Sequence, residues 1–129
     1  MQYRILVVDD EEYFCRVVRL VLEGAGYEVL HATSVAEGLR LLREECPDAI
    51  TVDLRMPGSG GQDFGGLDLL EAKWADQSIR YIPSVVLTAA GTMADEALEL
   101  ASHFGARMAL RKPFSQNQLT ETIAVLLGL

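Results

Sequence analysis

Only two of the 129 residues are cysteine. Cys15 lies in a segment with helical spacing and Cys46 in a polar run before Pro47, so the chain encodes no zinc cluster, CxxC redox pair or disulfide framework. Two reduced thiols in a cytoplasmic protein are expected. Basic residues are also scarce: 11 Lys and Arg stand against 19 Asp and Glu, a net charge of −8. A surface of that sign repels phosphate backbones and anionic lipid, which argues against nucleic acid and membrane as direct partners but permits a localised cation site. No apolar run approaches a membrane span, and the stretch before Asp9 is too short for a signal peptide. Repeats, low-complexity tracts and long linkers are missing, so residues 1–129 are expected to form a single domain. With half the residues hydrophobic, a core can form without covalent staples.

Short apolar runs alternate with amphipathic stretches along the whole chain, the pattern of parallel strands joined by crossover helices. Ile5-Leu6-Val7-Val8 reads as a strand covered on both faces and stops at Asp9-Asp10. Phe14, Val17, Val18, Val21 and Leu22 recur at helical spacing, with Gly24 and Gly26 ending that helix; Phe14, Val17 and Val21 are expected in the core. Val29-Leu30 is strand two. Ser34 to Glu37 forms a capping box for a helix that turns Leu39 and Leu42 toward the sheet. Ala49 to Val52 is strand three, ending at Asp53, and the glycine-rich stretch from Leu54 to Gly66 reads as a loop before a shorter helix carrying Leu67, Leu70 and Trp74. Val85 to Leu87 forms strand four, ending at Thr88. A helix from about Ala94 to Phe104, a short strand from Met108 to Leu110 and a helix capped by Ser115 and Gln118 complete five strand–helix pairs.

In such sheets ligands bind outside the carboxyl ends of the strands. The residues placed there are Asp9, Asp10, Asp53, Thr88 and Arg111-Lys112. Converging carboxylates repel unless a cation joins them, and Mg²⁺ suits a set of carboxylate oxygens with no His or Cys donors. With Lys112 and Mg²⁺ the formal charge of the three aspartates is cancelled, and such a pocket can accept a phosphoryl group. Phosphoryl transfer needs positioning, charge neutralisation and an in-line nucleophile. Asp53 is placed to be that nucleophile, Lys112 to contact the phosphoryl oxygens as a point charge and Thr88 to donate a hydrogen bond. Each of these residues alone has a plainer reading as a cap, strand end or surface charge. Their joint placement at four strand ends favours the site. His31 and His103 read as structural.

Four elements carry a family resemblance: Ile5-Leu6-Val7-Val8-Asp9-Asp10-Glu11-Glu12, Asp53-Leu54-Arg55-Met56-Pro57, Leu87-Thr88-Ala89 and Lys112-Pro113-Phe114. In this order they resemble a response-regulator receiver domain of two-component signalling over essentially the whole chain. The resemblance implies a flavodoxin-like doubly wound α/β fold, with five parallel strands in the order 2-1-3-4-5 and five helices. It implies that Asp53 takes a phosphoryl group from a sensor histidine kinase, a phosphotransfer protein or a small phosphodonor. Asp9, Asp10, Asp53 and the Arg55 backbone carbonyl would bind Mg²⁺, Lys112 and Thr88 would contact phosphoryl oxygens, Ala89 would offer its backbone amide, and the Lys112–Pro113 bond would be cis. The output would be a downstream effector or fused domain, or a homodimer, reached through the face of helix four, strand five and helix five. The last helix is expected to end about where the sequence does, so either a stand-alone receiver or one domain of a longer protein is expected.

Three features depart from the family pattern. The loop over 58–65 is longer by about five residues and holds Asp63 and Phe64; it covers the site, meets a partner or is a plain surface insertion. Ala109 stands at the usual switch aromatic. Arg55 and Ala90 occupy the positions that steer the dephosphorylating water, and a bulky Arg55 is expected to slow self-dephosphorylation. A phosphorylation-independent interaction module remains the first competing reading. An aspartate-nucleophile phosphatase is the second, disfavoured because Arg55 stands where a second aspartate would serve as acid and base. A receiver that only modifies itself is thus expected, not an enzyme acting on other substrates.

Overall fold

The computed structural model describes residues 2–56, 64–88 and 94–129. Its elements are β1 (Arg4–Val8), α1 (Glu12–Gly24), β2 (Glu28–Ala32), α2 (Val35–Glu45), β3 (Ala49–Asp53), α3 (Gly65–Ala75), β4 (Ser84–Thr88), α4 (Ala94–His103), β5 (Met108–Arg111) and α5 (Gln116–Leu126). The five strands form one parallel sheet in the order β2-β1-β3-β4-β5, as the sequence reading expects. Val8 pairs with Val52, Asp53 with Leu87 and Thr88 with Arg111, so the register aligns the strand ends. No helix among the described residues is long and apolar enough to cross a membrane.

Strand alternation explains the two cores. Leu6, Val8, Ile50, Val52 and Val86 face one side, under Leu42 of α2, Leu69 and Leu70 of α3, and Ala97 and Ala101 of α4. Ile5, Val7, Ala49 and Val85 face the other, under Cys15, Val18 and Leu22 of α1 and Leu119, Ile123 and Leu126 of α5. Helices thus cover both faces, which is why β1, β3 and β4 read as continuous apolar runs. Local signals set the helix ends. Ser115 and Gln118 make a two-way capping box, and Ser34 Oγ accepts from the Glu37 N–H. Cys46 ends α2 with a φ of 46°, in the left-handed region.

Three expectations are corrected. The Phe14, Val17 and Val21 stripe is core only in part: Phe14 and Val21 are half-buried and pack against the α1–α5 core, Val17 is exposed, and all three line a groove against Pro113, Phe114 and Leu119. Helical spacing marks an apolar face, but α5 covers only part of it. The expected loop gives way at Gly65, and α3 is as long as α2 and α5, at 11 residues each. Its buried stripe is Leu69, Leu70 and Lys73, while Trp74 lies 42% exposed. Strand two is also longer than Val29-Leu30, because pairing with β1 from Arg4 to Val8 extends it. Both cysteines are free, as expected.

Candidate functional site

The chain leaves β1 into Asp9, whose N–H donates to the Ala32 carbonyl at 3.1 Å. This tie holds the end of β1 beside β2. Asp53 is the last residue of β3, Thr88 the last of β4, and Lys112 follows β5 with its N–H donating to the Thr88 carbonyl at 2.8 Å. The four predicted side chains therefore come from four adjacent strand ends. Asp9, Asp53 and Thr88 are buried and Asp10 is exposed.

The carboxylates of Asp9, Asp10 and Asp53 each bring an oxygen within 4.8 Å of the others. Asp9 Oδ1 accepts the Glu11 N–H at 3.0 Å, and Asp53 Oδ1 accepts the Arg55 N–H at 3.1 Å. Lys112 Nζ donates to Asp53 Oδ2 at 3.2 Å and lies 3.6 Å from Asp9 Oδ2. That last oxygen is buried with no hydrogen-bond partner. Burial, above all, pushes the Asp9 carboxyl up to about 6; the Glu11 N–H opposes this, and the nearby Asp53 charge adds to it. An orphaned carboxylate oxygen within an all-oxygen donor set fits a hard divalent cation such as Mg²⁺. Among the described residues, Asp9, Asp10 and Asp53 are the side chains able to hold it.

Two features of the site escape the sequence reading. Lys112 Nζ lies 4.1 Å from the centre of the Phe14 ring, and Phe114 meets that ring edge-on at 5.9 Å and 75°. The available signal is spacing: Phe14 lies one helical turn beyond Asp10, and Phe114 two residues beyond Lys112. The other is Gly66. A Cβ there would meet the Asp53 carbonyl oxygen and come within 2.6 Å of Leu54 Cα, so only glycine lets α3 abut the backbone of Asp53.

The Lys112–Pro113 bond is cis, as the resemblance implies. Arg55 is exposed, and Ala109 is exposed on β5 beside a shallow dent lined by Val86, Leu98 and Met108. Ala89, Ala90 and positions 58–63 with Asp63 lie outside the described residues. Phe64, in contrast, packs half-buried against the α2–α3–α4 core, and the Gly65 N–H donates to the Met56 carbonyl. Neither histidine joins the site: His31 lies exposed on β2, and His103 stacks edge-on against Phe104.

The response regulator receiver domain model matches residues 5–124. The chain is 39% identical to the sensory/regulatory protein RpfC of Xanthomonas campestris pv. campestris over 123 residues, covering 94% of this chain but 16% of that protein. It is 31% identical to the polar-differentiation response regulator DivK of Brucella ovis over 128 residues, covering 99% and 98% of the two chains. Its fold is similar to that of a putative response regulator from Chloroflexus aurantiacus, with a TM-score of 0.87 at 29% identity and full coverage of both chains.

Proposed function

This chain belongs to the response regulator receiver domain family of two-component signalling, and on that premise we propose that Asp53 is its phospho-acceptor and Lys112 and Thr88 its phosphoryl contacts. The observation carrying this reading is the position of Asp53 Oδ2, buried at a strand end and held 3.2 Å from Lys112 Nζ. In the proposed transfer, a carboxylate oxygen of Asp53 attacks phosphorus in line. The phosphorus–nitrogen bond of a phosphohistidine breaks, leaving imidazole; from acetyl phosphate, acetate leaves. Lys112 compensates charge on the phosphoryl oxygens, Thr88 donates to one of them, and the Arg55 N–H keeps the other Asp53 oxygen in place. Asp9, Asp10, Asp53 and the Arg55 carbonyl would hold Mg²⁺, which would supply neutralisation of charge on the phosphoryl oxygens when bound. Ala89 adds a backbone amide. Water attack on phosphorus later breaks the acyl phosphate, releasing inorganic phosphate and returning the Asp53 carboxylate, and the exposed Arg55 slows that step.

Residues 1–129 act in this reading as one cytoplasmic receiver unit that catalyses only its own modification. The donor is a sensor histidine kinase or phosphotransfer protein. The output is an effector or a fused domain: the regulator of matching length favours the first, the much longer sensory/regulatory relative the second. With acetyl phosphate and Mg²⁺, wild type should gain the mass of one phosphoryl group, and Asp53→Asn should gain none. Beryllofluoride with Mg²⁺ should raise the melting temperature of wild type alone. An equal response from Asp53→Asn, or none from wild type, overturns the assignment.

A further inference from the structure

We propose that Phe14 is a positioning residue for Lys112: its ring face holds the ammonium at the acidic corner through a cation–π contact and so sets the rate of phosphoryl uptake at Asp53. The inference rests on the reading of Asp53 and Lys112 given above.

Lysine is a poor choice for fixed geometry, because its four-carbon stem has many rotamers and its charge is compact and strongly hydrated. Here the ammonium has opposed neighbours. The carboxylates of Asp53 and Asp9 approach it at 3.2 and 3.6 Å, and the Phe14 ring at 4.1 Å. The lysine side chain is 24% exposed, so water competes with the ring only in part, and such contacts strengthen as water is withdrawn.

The ring differs from a carboxylate in two useful ways. It attracts the ammonium without adding charge to a site that already holds three aspartates, and it offers no oxygen to compete for a cation. It also stays when Asp53 changes. Once an Asp53 oxygen is bonded to phosphorus as an acyl phosphate, the charge that held Lys112 moves to the phosphoryl oxygens, while the Phe14 ring remains fixed on α1. Phe114 supports it edge-on, and Phe114 itself packs against the α1–α5 core. The ammonium therefore keeps one unchanged contact as its carboxylate partner becomes an acyl phosphate.

The test separates ring electrostatics from packing. Phe14 in the full chain is replaced, by site-specific incorporation, with 4-fluoro-, 3,5-difluoro- and 3,4,5-trifluorophenylalanine, which nearly preserve shape while draining the ring face of negative charge. Uptake from acetyl phosphate with Mg²⁺ is followed by mass, and folding by thermal melting. The logarithm of the uptake rate should fall stepwise with fluorine number. Phe14→Leu should lose roughly three- to tenfold in rate, with Phe14→Tyr restoring most of it. A flat series, or one that rises because fluorine adds apolar surface, overturns the proposal even if Phe14→Leu is slow. Wild type taking up no phosphoryl group would overturn the Asp53 assignment and this inference together. Uptake by wild type with a flat series would overturn this inference alone.

Discussion

Burial holds the Asp9 carboxyl near 6, against an ordinary 3.8, so folding without a cation strains against its ionisation. The folded state binds that proton more tightly than the unfolded one. Stability is therefore lost as pH rises from about 3.8 through about 6, on the order of 2 to 3 kcal/mol by neutral pH. A divalent cation needs the ionised form and reverses the loss. Asp9→Asn should raise the melting temperature of the metal-free protein at neutral pH and remove most of its Mg²⁺-dependent rise. In wild type the Mg²⁺ effect should fade as pH falls through about 6, read by melting scans with and without the ion. An equal Mg²⁺ effect well below that pH would contradict this. At this scale the acidic cluster is legible in the sequence, because each aspartate follows a recognisable strand. The unequal roles of its members are not: Asp9 is buried and Asp10 exposed, a difference made by packing.

Among the elements, α3 is the one whose placement depends most on a single missing side chain. Its start lies against Asp53 and Leu54, and the Gly66 N–H donates to the Leu54 carbonyl at 3.2 Å. Gly66→Ala would force the helix away from β3, costing about 1 to 3 kcal/mol in urea denaturation and slowing phosphoryl uptake through the shifted Asp53 backbone. Gly24→Ala is the control. A Cβ at Gly24 meets nothing within 4 Å and should leave stability unchanged or slightly higher. Equal losses from both substitutions would refute the close-approach argument. Helix ends such as the Ser115 box are readable in advance because caps are local. The cover over α1 is not, since whether Val17 is buried depends on where α5 lies, and no spacing within α1 encodes that.

For the whole molecule, Lys73 links a buried charge to global stability. Burial, with Arg107 adding to it, lowers this ammonium from 10.5 to about 8, and Nζ donates to the Arg80 carbonyl at 3.1 Å. The unfolded chain binds more protons than the folded one between those values, so this group makes stability rise with pH through about 8 to 10.5. Lys73→Met should be more stable than wild type near pH 7 by up to about 2 kcal/mol, with the gap closing toward pH 10. Cys15, whose thiol burial pushes up to about 11, works in the opposite sense; it is common to both proteins and drops out of the difference. A gap that does not change with pH in denaturant titrations would overturn the argument. The order of strands and helices, the family and the acidic strand ends are determined by the sequence alone, because periodicity, capping and motif order are local properties of a chain. The burial of Lys73, the glycine under α3 and the ring beside Lys112 were decided only by the tertiary structure. Asp53 and Lys112 meet across 59 positions, and which third side chain joins them depends on register and helix packing that no local pattern records.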